Sequence, residues 1–235
     1  MHDAVMERPL RPKPDSLPAA NTMTTDTISS ETARRFYDWL GEKHDWGGRF
    51  ERRAKERALE LLEAGSAQQL LNVGVGTGKE QQTIQAVLPP GGQTFGIDLS
   101  GEMLKVTQQR VPETQLSQAM AWQLPFASGS FDRVFCTYVL DLFETAVLPQ
   151  TLSELHRVLQ PGGKLILVSL TEGINLPSRL LVGLWKTTYR LHPLILGGCR
   201  PLRLQTLVEQ AGFSILQREV IVQLGVPSEV ILTGR

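Results

Sequence analysis

The sequence predicts an α/β fold built on a mostly parallel sheet. Three observations carry that expectation. Residues 68–98 read as strand, glycine turn, helix, turn and strand, and the second strand ends on an acid. Further short apolar runs, at 116–120, 131–138 and 164–170, are interleaved with helix-patterned stretches, which is how βαβ units are written. Two last runs, 215–224 and 229–234, read as strands that finish the sheet.

In chain order, residues 1–28 carry Pro9, Pro12, Pro14 and Pro18 and predict a disordered tail. Ser29 or Ser30 caps a helix through Phe36 and Tyr37 to Leu40. A glycine-rich loop containing Trp46 follows. Phe50, Ala54, Ala58, Leu61 and Leu62 then repeat at helical spacing until Gly65 stops them. Leu70, Leu71 and Val73 form a buried strand that runs into Gly74, Gly76 and Gly78. Polar helix formers occupy 79–86, prolines and glycines at 89–92 reset the chain, and residues 94–97 lead to Asp98. Ser100 caps the next helix, which Pro112 ends. Residues 131–138 read as a central strand, with Asp132 closing the turn before it. Strand ends on this side of an open sheet are where ligands sit, so Thr137, Tyr138, Asp141 and Leu142 are pocket candidates. Leu148, Leu152, Leu155 and Leu159 line one face of a helix over 145–159, with His156 as a structural neighbour. Residues 173–208 contain Arg179, Lys186, Arg190, His192, Arg200 and Arg203 but no acid. Leu180, Leu184, Trp185 and Leu191 there approach helical spacing. Such a basic, apolar helix could rest on an anionic membrane, receive an anionic acceptor or simply cover a pocket. Pro201 opens the final helix, Gly212 ends it, and Pro227 and Ser228 connect the last two strands.

Composition narrows the classes. A chain of 235 residues, 41% apolar, suits a single domain over 29–235 with a sizeable core. Lysine plus arginine equals aspartate plus glutamate, 24 each, whereas a nucleic-acid binder carries a basic excess. Cys136 and Cys199 set no disulfide framework and, with four histidines, no zinc spacing, so no metal is expected. A reducing, cytoplasmic compartment is the default. There is no apolar leader near the start and no run of the ~18–20 apolar residues a transmembrane helix needs.

The glycine turn carries the chemistry. Glycine allows the sharp turn and lets a ligand approach the backbone. The free N–H groups opening the next helix offer donors. An acid at Asp98 can accept hydrogen bonds from a ribose. Together these point to a nucleoside-bearing cofactor. The bland alternative is a tight turn with no cofactor. A dinucleotide fold prefers a later third glycine than Gly78, which disfavours an NAD-dependent dehydrogenase.

The ordered segments LLNVGVGTG, GIDLSGEML, LPFASGSFD and LHRVLQPGGKLILV resemble the class I S-adenosylmethionine-dependent methyltransferases, most of all the group that methylates ubiquinone, menaquinone and phosphatidylethanolamine. The resemblance covers roughly 34–234. It implies a Rossmann-like sheet of seven strands, mostly parallel with a closing antiparallel strand, and helices on both faces. It also implies lid helices over 30–64, a substrate-side helical insertion over 173–200, and S-adenosyl-L-methionine as cofactor. Gly74, Gly76 and Gly78 would pass beside its methionine and ribose. Asp98 would take the ribose hydroxyls, with Leu99 and Met103 flanking ribose and adenine. Tyr37 would approach the methionine carboxylate or the acceptor. Relatives usually hold the adenine amino group with an acid where this chain has Met120. That departure leaves the Ala121 backbone and the Trp122 ring face to hold the base. No general base is evident; Asp141, Tyr138, Tyr37 and His192 are the candidates in that order. The acceptor expected is a small or lipid-like molecule with an N, O or C nucleophile, not a nucleic acid, with peripheral membrane contact as one setting. The alternative is a non-catalytic nucleoside-binding or regulatory protein on the same fold.

Overall fold

The computed structural model describes residues 23–24, 27–41 and 48–235. Trp46 and the four prolines between 9 and 18 lie outside them. Strands β1 (Gln69–Val73), β2 (Gln93–Asp98), β3 (Gln115–Gln118), β4 (Phe131–Thr137), β5 (Leu159–Leu170), β6 (Ser214–Gln223) and β7 (Val226–Gly234) form a seven-stranded sheet ordered β3-β2-β1-β4-β5-β7-β6. The first five run parallel, and β7 lies antiparallel between β5 and β6. The expected mostly parallel sheet with a closing antiparallel strand is what forms. The chain winds outward from β1 to β3 and then returns to β4. That reversal opens a crevice at the carboxyl ends of β1 and β4, where an open α/β sheet binds ligands.

Alternation along the central strands builds two cores. Leu70, Phe135, Ile166 and Val168 point to one face, where α2 (Arg52–Leu62) lays down Ala54, Ala58 and Leu62. Leu71, Val134, Cys136, Leu165 and Leu167 point to the other. There α5 (Leu148–Val158) brings Leu148, Leu152 and Leu155, and α7 (Leu204–Gln210) brings Leu204 and Val208. Each such leucine contributes roughly 1.5–3 kcal/mol by leaving water. Helices α3 (Lys79–Val87) and α4 (Gly101–Arg110) follow β1 and β2. Ser100 caps α4 as expected, accepting from the Met103 N–H at 3.1 Å. Asp132, expected to close the turn before β4, instead ties the start of β4 to the start of β1, accepting from the Gln68 N–H at 2.7 Å.

Several boundaries move. Part of the expected tail has structure: Met23–Thr24 and Thr27–Ile28 form a small antiparallel ribbon, and Thr27 and Ile28 are buried. The Thr27 hydroxyl lies 2.7 Å from the Tyr189 hydroxyl. Helix α1 (Ser30–Leu40) is capped by Ser29, whose side chain accepts from the Thr32 N–H. Helix α2 ends on Glu63 in a left-handed conformation, φ 51°, before Gly65 is reached. Strand β5 begins at Leu159, so Pro161, Gly162 and Gly163 lie inside it. Pro201 precedes α7 and does not open it. The last hairpin turns at Leu224 and Gly225, both with positive φ, which leaves Pro227 and Ser228 inside β7. A leucine at positive φ is uncommon, so the proline was the more conspicuous turn signal.

Helix α6 (Leu176–Leu191) starts with a reciprocal cap between Asn175 and Ser178. Its inward face is Ser178, Val182 and Tyr189, with Trp185 half-buried. Trp185 therefore does not share a face with Leu180, Leu184 and Leu191, which are exposed. Among the described residues no helix is long and apolar enough to cross a membrane, and no His, Cys, Asp and Glu cluster could hold a metal.

Candidate functional site

One cavity of about 460 Å³ lies at the carboxyl ends of β1, β2 and β4, with α1 and the start of α2 contributing to its walls. The floor is the glycine turn. The N–H groups of Gly74 and Val75 both donate to the Ile97 carbonyl, at 2.8 and 2.9 Å, which ties the turn to β2. The three glycines do different work. A Cβ on Gly74 would collide with the Val139 methyl. A Cβ on Gly78 would lie 3.0 Å from Thr107, and Gly78 is not part of the cavity wall. Gly76, at φ 57°, faces open space, and its nearest neighbour is the Gly74 carbonyl 4.0 Å away. Of the three, Gly76 is the one with room beside its backbone.

Asp98 ends β2 beside this turn. The Gly76 N–H donates to its Oδ2 at 2.9 Å and the Ser100 N–H to its Oδ1 at 2.9 Å. Burial pushes its carboxyl up from the usual range, and the Ser100, Gly76 and Leu99 N–H groups oppose that. The carboxylate borders the cavity, so its oxygens can accept from a ligand as well. A pair of vicinal hydroxyls would satisfy both and ease the burial of the charge. The open face at Gly76 and these two acceptors fit the ribose of a nucleoside.

Leu99, Met103, Ala121 and Trp122 line the neighbouring wall with Ala119 and Met120. The Trp122 ring meets Phe143 edge to face, centroids 5.2 Å apart. Thr137, Tyr138 and Tyr37 also face the cavity. The Tyr37 hydroxyl donates to the Gly197 carbonyl at 3.0 Å, and the Tyr138 hydroxyl is 2.7 Å from the Ser228 hydroxyl. Burial pushes both phenols up, Tyr37 and Tyr138 alike, so both stay neutral. Two candidates fall elsewhere. Asp141 is completely buried outside the cavity wall, where its Oδ2 accepts from the Leu170 N–H at 3.2 Å. Burial pushes its carboxyl up to about 7, opposed by the Leu170 N–H. His192 lies exposed at the end of α6, away from the cavity. Neither is placed to take a proton from a bound acceptor.

Sequence reasoning missed an ionic cluster over the turn. The Lys55 ammonium lies 3.0 Å from Glu51 and 3.3 Å from Glu80, and 5.5 Å above the Tyr138 ring. Burial alone would lower the Lys55 pKa; the two carboxylates outweigh it and raise it. Lys55 therefore stays charged, and the ammonium set between carboxyl groups can meet a group that is itself zwitterionic. Asp38 was missed as well. It accepts from the Ser100 hydroxyl at 2.6 Å and pairs with Arg34 at 3.1 Å, fastening α1 to the start of α4.

Residues 71–167 match the family model described as a methyltransferase domain. An uncharacterized methyltransferase of Synechocystis sp. is 31% identical over 176 residues, covering 72% of this chain and 78% of that protein. A demethylmenaquinone methyltransferase of Porphyromonas gingivalis is 30% identical over 162 residues, covering 66% of this chain and 62% of that protein. The chain thus spans about three fifths of that relative's length. Among solved structures, the N-methyltransferase NodS of Bradyrhizobium japonicum in complex with S-adenosyl-L-homocysteine superposes with a TM-score of 0.62 at 17% identity, covering 79% of this chain and 87% of NodS.

Proposed function

Because the chain belongs to the class I S-adenosylmethionine-dependent methyltransferases, we propose that it transfers a methyl group from that cofactor to a small or lipid-like acceptor. One observation carries the reading. The Asp98 carboxylate borders the cavity and is fastened to the glycine turn by the N–H of Gly76, where the backbone faces open space. Asp98 would hold the ribose, with Leu99, Met103, Ala121 and Trp122 around the adenine. Lys55 would meet the methionine carboxylate, and Glu51 and Glu80 its ammonium.

S-adenosylmethionine supplies a methyl group already activated by a sulfonium. The protein's share is therefore alignment and exclusion of water. Val139, Leu142, Phe143 and Met120 give the cavity an apolar wall. That wall suits a ring such as the quinone in the Porphyromonas relative's name, and we extend that acceptor class to this chain. Both cavity tyrosines stay protonated and Asp141 lies outside the wall. The reading therefore uses no side-chain base: it favours an acceptor that is nucleophilic unaided, such as a ring carbon beside an ionised hydroxyl.

Calorimetry with S-adenosylmethionine should show binding. Asp98→Ala should weaken it roughly tenfold to a hundredfold, the worth of one or two hydrogen bonds to a charged group. Methyl-labelled cofactor incubated with a demethylated quinol should then label the quinol. An Asp98→Ala protein that binds as tightly as the parent would defeat the reading.

A further inference from the structure

Helix α6 has two apolar faces, and the fold uses only one of them. Leu176, Leu180, Leu184 and Leu191 are 71%, 67%, 63% and 70% exposed. At helical pitch they fall within an arc of about 80° and along about 22 Å of axis. Ile174 and Ile195, also exposed, flank the helix in sequence. A single exposed leucine needs no explanation, but a row of four on one arc does. Arg179, Lys186 and Arg190 occupy a second arc of about 40° beside that row. No aspartate or glutamate occurs anywhere in 173–208, although the whole chain balances 24 basic against 24 acidic residues. The basic excess is local to this surface.

We propose that the outer face of α6 docks on an anionic lipid bilayer, with the leucines entering the interface and Arg179 and Arg190 meeting the headgroups. The charge decides the occupant. Lys186 is paired with Glu172 at 2.7 Å, so Arg179 and Arg190 provide the excess along the leucine row. A helix lying in a membrane surface needs this combination of a leucine face and a basic flank, and needs no groove. The same helix reaches the cavity from its other side. Trp185 donates its Nε1–H to the Cys199 carbonyl at 3.0 Å, and Cys199 lines the cavity. Docking on α6 would therefore set the acceptor side of the molecule against the bilayer. The inference is argued from α6 alone and holds whichever acceptor is methylated.

The test is co-sedimentation of the full chain with vesicles, read without turnover. Vesicles of phosphatidylglycerol and phosphatidylcholine in equal parts should pull the protein down, and vesicles of phosphatidylcholine alone should do so far less. Leu180→Ser with Leu184→Ser should weaken binding roughly tenfold or more, since both side chains lose an apolar contact. Arg179→Gln with Arg190→Gln should weaken it by about tenfold, on anionic vesicles and at low salt only. These side chains are exposed, and an unchanged melting temperature would show that the variants fold. Absence of binding to anionic vesicles overturns the proposal. So does binding indifferent to both pairs of substitutions. A dimer in sedimentation velocity that Leu180→Ser with Leu184→Ser disperses would reassign the face to a second copy of the chain.

Discussion

Gly74 and Gly76 look alike in the sequence and answer to different demands. Alanine at Gly74 brings a methyl group against Val139 as well as a positive φ. Alanine at Gly76 meets open space and bears only the left-handed backbone, about 1–2 kcal/mol. Gly74→Ala should therefore lower the melting temperature the more. Gly76→Ala should fold nearly as well as the parent but lose cofactor affinity, because its methyl group stands where the ligand comes close. Paired melting and calorimetry on the two variants would separate these effects; equal losses in both would refute the distinction. The turn and Asp98 were legible because their requirement is local, a backbone without Cβ followed by an acid at a strand end. Lys55, Glu51 and Glu80 were not. Glu51 and Lys55 belong to the start of α2 and Glu80 to the first turn of α3, and only the docking of α2 over the turn brings them together. Cys199 and Phe143 were hidden for the same reason, being placed by contacts far apart in the chain.

At the scale of elements, α1 is held over the site by a short list of polar contacts. Asp38 takes the Ser100 hydroxyl, the same group that caps α4, and so couples α1 to the strand end bearing Asp98. Removing a hydrogen bond of this kind costs about 1 kcal/mol. Asp38→Ala should thus raise the cofactor dissociation constant by roughly fivefold. It should also speed amide exchange across 30–40 while leaving the β4 and β5 amides protected. Exchange in 30–40 that matches the parent would show that the apolar contacts of Phe36 hold α1 unaided. The order of strands and helices was readable because periodicities of two and 3.6 are written directly in the apolar residues. Which face of α6 is covered was not, since both faces are apolar and periodicity does not say what lies opposite. The hairpin at Leu224 and Gly225 was masked by the louder signal of Pro227.

At the scale of the molecule, stability should depend on pH through a carboxyl the reaction does not touch. Burial holds the folded pKa of Asp141 at about 7, against 3.8 when unfolded; Glu51 adds to the rise, and the Leu170 N–H and Arg200 oppose it. Between those values the folded protein binds more protons than the unfolded chain, so this group's stabilising contribution is complete below about pH 4 and is lost as pH rises through 7. Asp141→Asn keeps an acceptor for the Leu170 N–H and removes the titration. The variant should gain on the parent from pH 4 to 7 and run parallel to it above. Urea midpoints across that range would show it, and a constant difference would acquit Asp141. The sheet order, with its reversal between β1 and β4, is what places all of these groups at one edge. Along α6, meanwhile, the residues that prop the cavity alternate with those that face outward. Substitutions can alter either set alone, but a single inserted or deleted residue turns everything beyond it by about 100° and exchanges the two roles. This stretch should therefore tolerate a change of one residue for another of like character far better than any change of length.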